Sequence, residues 1–259
     1  MSNPNFRTGS PEDSADFLSN SEYWESVKQG LLEIHPLGKY YDESDLERDL
    51  EKERYFAKVV YEAAKTAVES GGRQVHILFD IDNTIGAYDM ETVRKFYFRP
   101  ALHRILEEVK QLVEKSKAKF DIGFISNRDL KNTNQQLESG GQLASLAQWV
   151  NRELVFSSRG AALAEDYKFL STDEKRLSFL RNLGVIGIND DELSEVFYGM
   201  NPDGVDKLGV LSKLKGKIGK DEKVIVIVID DSPVYPEILD RAKGFSGVCI
   251  RDKGYFSGV

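Results

Sequence analysis

The sequence predicts an α/β protein whose parallel sheet is covered by helices on both faces. Short apolar runs, typical of buried strands, alternate with longer segments in which apolar residues recur at helical spacing. The longest aliphatic run, at 224–229, reads Val-Ile-Val-Ile-Val-Ile, which is far too short to cross a bilayer. Because parallel strands are joined by crossover helices, the alternation favours a parallel sheet over separate helical and β units.

Size and composition limit the possible partners. The chain has 259 residues, 41% of them hydrophobic, enough for one sizeable domain with an extension or for two small domains. A formal net charge of −8 argues against nucleic acid as a partner, since phosphate backbones bind clustered cations. One cysteine, Cys249, rules out an internal disulfide, and the first 20 residues contain no apolar signal segment. We therefore expect a soluble, cytoplasmic protein with no membrane partner.

The first 72 residues predict an N-terminal extension. Residues 1–20 are polar and acidic and are expected to form a disordered arm. Residues 21–72 are expected to be helical, with a short helix over 21–34 and a longer one over 44–70 that Gly71-Gly72 ends. A helix packed on the main domain is favoured over an independent binding module.

Residues 73–259 predict the α/β core. A small insertion is possible at about 158–205, where the pattern is least regular. Helices are expected over 100–117, 129–151 (which Gly140-Gly141 weakens or breaks), 172–183 and 206–218. Strands are expected over 75–79, 120–125, 154–156, 224–229 and 247–250.

Three of the predicted strands end in acidic or small polar residues. The first runs into Asp80–Thr84, the second into Ser126–Arg128 and the last into Asp230–Ser232. Each group alone is explained equally well by helix caps and turns. Together, at one edge of a parallel sheet, the carboxylates would repel one another unless a cation lay between them. Oxygen ligands of this kind suit Mg²⁺.

These residues also resemble a known family. Asp80-x-Asp82-x-Thr84 after an apolar strand resembles the first signature of the haloacid dehalogenase (HAD) superfamily, and Ser126 resembles the second. Lys207 at a helix start resembles the third, and Asp230-Asp231 the fourth. The resemblance covers roughly residues 73–256 and keeps the signature order. It implies a Rossmann-like (HAD-like) parallel sheet flanked by helices, with a small flap or cap insertion.

The resemblance implies a phosphatase. Asp80 would attack phosphorus to form an aspartyl-phosphate, and Asp82 would protonate the leaving oxygen and then activate water. Thr84, Ser126 and Asn127 would bind the phosphate.

The resemblance also implies a metal site and a cation. Mg²⁺ would be held by Asp80, the backbone carbonyl of Asp82 and Asp231, with Asp230 supporting or sharing that role. Lys207 would neutralise and bind the phosphate, although Lys213 is an alternative for the third signature.

The length of the segment after the first signature bears on the class of substrate. Residues 85–99 are long enough for a small flap only, and an open site in this superfamily implies large substrates such as phosphoproteins. Residues 97–102 and 230–233 resemble the C-terminal-domain phosphatase branch, although that branch has Glu-Thr where this chain has Asn83-Thr84. The alternatives are a small-molecule phosphatase for nucleotides or sugar phosphates, and a catalytically silent binding module of the same fold.

Overall fold

The computed structural model describes residues 16–35, 38, 41–88, 95–158, 207–211, 223–232, 238–242 and 244–250, with single residues at 178, 180, 181, 183, 185 and 214. Residues 1–15 of the arm expected over 1–20 lie outside the described residues, as do most of the possible insertion at 158–205, most of the helix expected over 172–183, and Lys213. The remainder of the arm is ordered in part, because Asp16–Ser19 form a short 3-10 helix.

Five parallel strands form the central sheet, which confirms the fold class predicted from the alternating pattern. Their order is β5-β4-β1-β6-β7, and every neighbouring pair is parallel. A separate antiparallel hairpin of two short strands follows β1. The strands are β1 (Gln74–Phe79), β2 (Gly86–Tyr88), β3 (Phe96–Phe98), β4 (Lys119–Ser126), β5 (Val150–Ser157), β6 (Val224–Asp230) and β7 (Phe245–Cys249).

Strand order reverses beside β1. The chain builds β4 and β5 on one side of β1 and then returns to place β6 and β7 on the other. In an open parallel sheet, the carboxyl ends of the strands that flank such a reversal leave a crevice in which ligands bind. Asp80 directly follows β1 and Asp230 ends β6, so the two acids stand at this position.

The helices of the N-terminal half are α1 (Ser21–Ile34), α2 (Glu43–Glu69), α3 (Leu102–Lys115) and α4 (Leu130–Gln136). The first three agree with the expected helices to within two residues at each end. Asp42 caps α2 by accepting hydrogen bonds from the backbone of Ser44 and Asp45, and the Asp45 side chain completes a reciprocal capping box.

The helix predicted over 129–151 is wrong beyond Gln136. The chain turns back there, and the Leu143 amide donates to the Gln136 carbonyl at 2.8 Å. Gly140 has a φ of +84°, and a Cβ at Gly141 would lie 2.2 Å from the Gln136 carbonyl oxygen. The two glycines therefore end the helix in a tight reversal, which frees Val150 to begin β5.

Each face of the sheet packs into its own apolar cluster. On one face, Phe56 and Val60 of α2 are buried in the same cluster as Ile77 of β1, so α2 is part of the main core. On the other face, Leu78 of β1 and Val228 of β6 pack with side chains from the second half of the chain, including Leu180, Leu183, Leu208, Leu211 and Leu239. Within the described part of the chain, no helix has the length and apolar character that crossing a bilayer requires.

Candidate functional site

Three carboxylates meet at the carboxyl ends of β1 and β6. One oxygen from each of Asp80, Asp230 and Asp231 lies within 4.8 Å of the others. Asp80 is 5% exposed and Asp230 is fully buried, whereas Asp231 is partly exposed. The structure therefore brings together three of the acids that the sequence singled out.

Lys207 inserts its ammonium between two of these acids. Its Nζ donates to Asp80 Oδ1 at 2.8 Å and to Asp230 Oδ2 at 2.5 Å, and its side chain is only 8% exposed. Lys207 lies in a helical segment, 207–211, as the sequence predicted. One ammonium among three carboxylates leaves an excess of negative charge that one divalent cation would neutralise.

The pKa values of the cluster reflect this imbalance. Burial raises the pKa of Asp80, opposed by Lys207 and reinforced by the charges of Asp230 and Asp231. Burial and then Asp230 raise the pKa of Asp231. Burial by itself would lower the pKa of Lys207, but Asp80 and Asp230 outweigh that effect and raise it. Without a cation Asp80 and Asp231 therefore keep their protons to higher pH than ordinary aspartates do, and metal binding would favour their release.

The donor set fits Mg²⁺. Asp80, Asp230 and Asp231 offer oxygen atoms only, which hard divalent cations prefer. Lys207 occupies one oxygen each of Asp80 and Asp230, which leaves the second carboxylate oxygen of Asp80 for another contact. The backbone amide of Ser232 takes the second Asp230 oxygen at 2.8 Å. Of Asp230 and Asp231, Asp231 would therefore lose fewer hydrogen bonds on binding a metal ion.

The side chain of Asp82 has a different partner. Arg128 Nε donates to Asp82 Oδ2 at 2.9 Å and Nη2 donates to Oδ1 at 2.5 Å, which is the bidentate fork typical of arginine. Arg128 Nη1 donates to Gln136 Oε1 at 2.7 Å, and the guanidinium lies 5.0 Å from the centre of the Phe96 ring. The Arg128 side chain is 9% exposed and that of Asp82 is 44% exposed. The pair therefore holds a half-exposed Asp82 carboxylate through a largely buried guanidinium.

Arg128 is a site residue that the sequence reasoning missed. The sequence places it in the polar stretch after β4, and neither the motif nor its spacing assigns it a role. Two signals could have identified it: it follows Ser126 by two residues, and it is a cation beside several predicted acids.

Of the expected phosphate-binding residues, Ser126 and Thr84 are buried and Asn127 is exposed. The Ser126 hydroxyl accepts the Arg128 amide at 3.4 Å. Thr84 has no exposed surface, and among the described residues its hydroxyl has no hydrogen-bond partner. The Thr84 carbonyl, by contrast, accepts from Arg99 Nε at 2.6 Å.

A compact turn carries the acids from β1 into the hairpin. We call residues 80–86 the acidic loop. The Asn83 amide donates to the Gly86 carbonyl at 2.8 Å and the Ile85 amide donates to Ile81 at 3.3 Å. Asn83 has a φ of +61°, a conformation that asparagine tolerates better than most residues. A Cβ at Gly86 would lie 2.2 Å from the Tyr97 carbonyl oxygen, so only glycine fits there.

The structure thus brings together the buried Asp80 carboxylate, an ammonium bonded to it, and two further acids. Asp82, which the sequence placed with them, is not one of the three grouped acids and is held by Arg128 instead. The grouped acids and the ammonium are suited to attack on an anionic centre, because the ammonium and a metal would offset the charge of the incoming group. Comparison with protein-family models, curated proteins and solved structures gives no match for this chain.

Proposed function

We propose that the protein is a Mg²⁺-dependent phosphatase that hydrolyses a phosphate monoester through an aspartyl-phosphate on Asp80. The observation that carries the proposal is the meeting of Lys207 with Asp80, Asp230 and Asp231 at the edge of the sheet. The resemblance of the sequence to the HAD superfamily, which rests on the same residues together with Asp82, Thr84 and Ser126, also supports it.

The reaction divides into two displacements. In the first, an oxygen of Asp80 forms a bond to phosphorus while the bond from phosphorus to the ester oxygen breaks, and Asp82 gives its proton to that leaving oxygen. In the second, water attacks phosphorus and gives a proton to Asp82, and the bond from phosphorus to the Asp80 oxygen breaks to release inorganic phosphate. Both residues return to their starting state.

The other polar residues would control charge and position. Lys207 orients the Asp80 carboxylate and offsets the charge of the phosphoryl group. Arg128 holds the Asp82 carboxylate by both oxygens. Asp82 must therefore release part of this fork and take up a proton before it can act as the acid of the first step. Mg²⁺ bound by Asp80, Asp231 and Asp230, with the Asp82 carbonyl, would supply further neutralisation of the phosphoryl oxygens.

A phosphoprotein is the favoured substrate class. The hairpin that follows the acidic loop consists of two strands of three residues each, which suits a small flap. A flap of this size would admit a phosphorylated side chain on a larger molecule. A small-molecule phosphatase and a silent binding module are the alternatives.

Turnover of an aryl phosphate tests the proposed chemistry. Activity should require Mg²⁺, disappear in excess chelator, and return when Mg²⁺ is restored. Asp80→Asn should abolish turnover, whereas Glu153→Gln, a change of an exposed acid on β5, should leave it unchanged. Full activity in chelator, or near-normal turnover by the Asp80 variant, would refute the mechanism.

Mass spectrometry distinguishes the roles of the two aspartates. Asp82→Asn keeps the nucleophile but cannot transfer a proton, so with a good leaving group it should accumulate phosphate on Asp80. Phosphate on Asp82 in the wild-type protein would reverse the assignment.

A screen of phosphopeptides, nucleotides and sugar phosphates then identifies the substrate class. Preference for nucleotides or sugar phosphates would favour the small-molecule alternative. Tight binding of a phosphorylated molecule without turnover would favour the binding module.

A further inference from the structure

A charged residue of α2 lies inside the core. Glu53 is fully buried and stands on the same helix face as Leu46, Phe56 and Val60. Its Oε1 accepts from Arg99 Nη1 at 3.0 Å, and its Oε2 accepts from the Ala101 amide at 2.8 Å. Both carboxylate oxygens are thus used, as a buried charge requires.

Arg99 connects this glutamate to the acidic loop. It is 2% exposed, and its guanidinium lies 4.8 Å from the centre of the Phe56 ring. Its Nε donates to the Thr84 carbonyl at 2.6 Å, and its own amide donates to the Ile85 carbonyl at 2.9 Å. Thr84 and Ile85 precede β2, and Arg99 follows β3. A single residue, through its side chain and its backbone amide, therefore joins the end of the hairpin to the loop that carries Asp80 and Asp82.

Stability alone is a weak reason for such a pair. Desolvation of two buried charges cancels much of their attraction, and apolar residues of similar volume often serve the fold as well. What an apolar pair could not supply is a directed donor to the backbone carbonyl of Thr84. The ion pair therefore contributes to the geometry of the loop rather than to the stability of the fold.

We propose that Glu53 and Arg99 are positioning residues, through which helix α2 fixes the acidic loop and the base of the hairpin for phosphoryl transfer. This assigns a role to the N-terminal helical extension, and its kinetic part rests on the proposed function. Glu53 acts through Arg99, and Arg99 acts through the Thr84 and Ile85 carbonyls. The geometry of Asp80 and Asp82 depends on this chain of contacts.

Three variants separate positioning from folding. Glu53→Gln leaves the guanidinium without its buried counter-charge. The double variant Glu53→Gln/Arg99→Met removes both charges, so that it should fold well while still losing the bond to Thr84. Glu51→Gln is the matched control, because Glu51 is an exposed glutamate of the same helix.

Hydrogen exchange at the Asn83 and Ile85 amides is the principal readout, because both amides are hydrogen-bonded within the loop. We expect exchange there to rise by about tenfold or more in Glu53→Gln and in the double variant. The amides of the C-terminal half of α3 should be unchanged, because Glu53 meets that helix at its N-terminal end, through the Ala101 amide. Glu51→Gln should match the wild type. Exchange that is unchanged at Asn83 and Ile85 in the double variant, or that rises equally in the C-terminal half of α3, would overturn the proposal.

Kinetics with an aryl phosphate and Mg²⁺ provide the second readout. Misplaced reacting groups lower kcat, so kcat should fall on the order of 10- to 10²-fold in the double variant, with KM within about twofold of the wild type. Wild-type kcat in the folded double variant would overturn the proposal. If the wild-type protein hydrolyses no phosphate ester, the proposed function fails, and the exchange measurement still decides whether α2 fixes the loop.

Discussion

Replacing the buried ammonium of Lys207 with an apolar side chain of similar length should destabilise the protein strongly. Lys207→Met removes two charge-assisted hydrogen bonds, at 2.8 and 2.5 Å, from a side chain that is 8% exposed. Bonds to charged groups contribute about 1.5–3 kcal/mol each. Breaking a buried ion pair costs about 3–5 kcal/mol. We therefore expect the free energy of unfolding to fall by about 3–5 kcal/mol near neutral pH, a large part of the roughly 5–15 kcal/mol of a typical domain.

Urea denaturation without metal measures this loss. Lys110→Met is the matched control, because Lys110 and its partner Glu114 are 49% and 58% exposed and 3.9 Å apart. An exposed pair of this kind contributes about 0–1 kcal/mol. The loss in Lys207→Met should also shrink at low pH, because protonation of Asp80 relieves the unpaired charge. A loss no greater than that of the control would refute the view that the ammonium holds the carboxylates together.

Three further predictions concern the metal, the arginine fork and pH. Mg²⁺ should raise the melting temperature of the protein. Asp231→Asn should increase the Mg²⁺ concentration needed for this rise more than Asp230→Asn does, because Asp230 is already held by an ammonium and an amide. The opposite order would exchange the roles of the two acids. Arg128→Lys should lower kcat by about tenfold in the otherwise wild-type protein but little in the Asp82→Asn variant, because Arg128 acts through Asp82. An equal fall of kcat in both proteins would contradict this role of Arg128. Burial lowers the pKa of His76, so the folded state favours the neutral imidazole. The stability that this contributes is fully present above about pH 6.5 and is lost as the pH falls through the lowered pKa. His76→Gln should therefore flatten the pH dependence of urea midpoints between about pH 7.5 and 5.5, and an unchanged slope would show that other groups cause it.

The sheet was predictable because buried parallel strands leave a strong local pattern. The run ending at Ile229 and the run ending at Phe79 contain almost no polar residues, and both are strands at the centre of the sheet. The length of the helix after β4 was not predictable from periodicity. Apolar residues continue at helical spacing past Gln136, and only the turn at Gly140 and Gly141 decides where the chain reverses.

The acidic part of the site was predictable for a similar reason. Asp80, Asp230 and Asp231 each follow an apolar strand, and topology alone brings parallel strand ends together. Contacts made by side chains across the fold have no such local pattern. Arg128 lies close in sequence to Ser126, but its bonds to Asp82 span 46 residues.

The buried pair of the N-terminal extension did leave a signal. Glu53 interrupts the apolar face of α2 at a position where its neighbours on that face are buried. A charge on an apolar stripe indicates a buried partner, although sequence alone cannot say which cation provides it. Arg99 proved to be that cation, 46 positions away.

The assignment of the two sheet faces to different halves of the chain has a consequence for biosynthesis. Helices α1 to α3 and strands β1, β4 and β5 all precede residue 158, so most of one core can form while the rest of the chain is still being made. Asp80 and Lys207 are 127 residues apart. The acidic loop is therefore synthesised before Lys207 and before Asp230 and Asp231. The acids and the ammonium of the candidate site can meet only after β6 has docked beside β1, so the cluster cannot form until residue 231 has been synthesised.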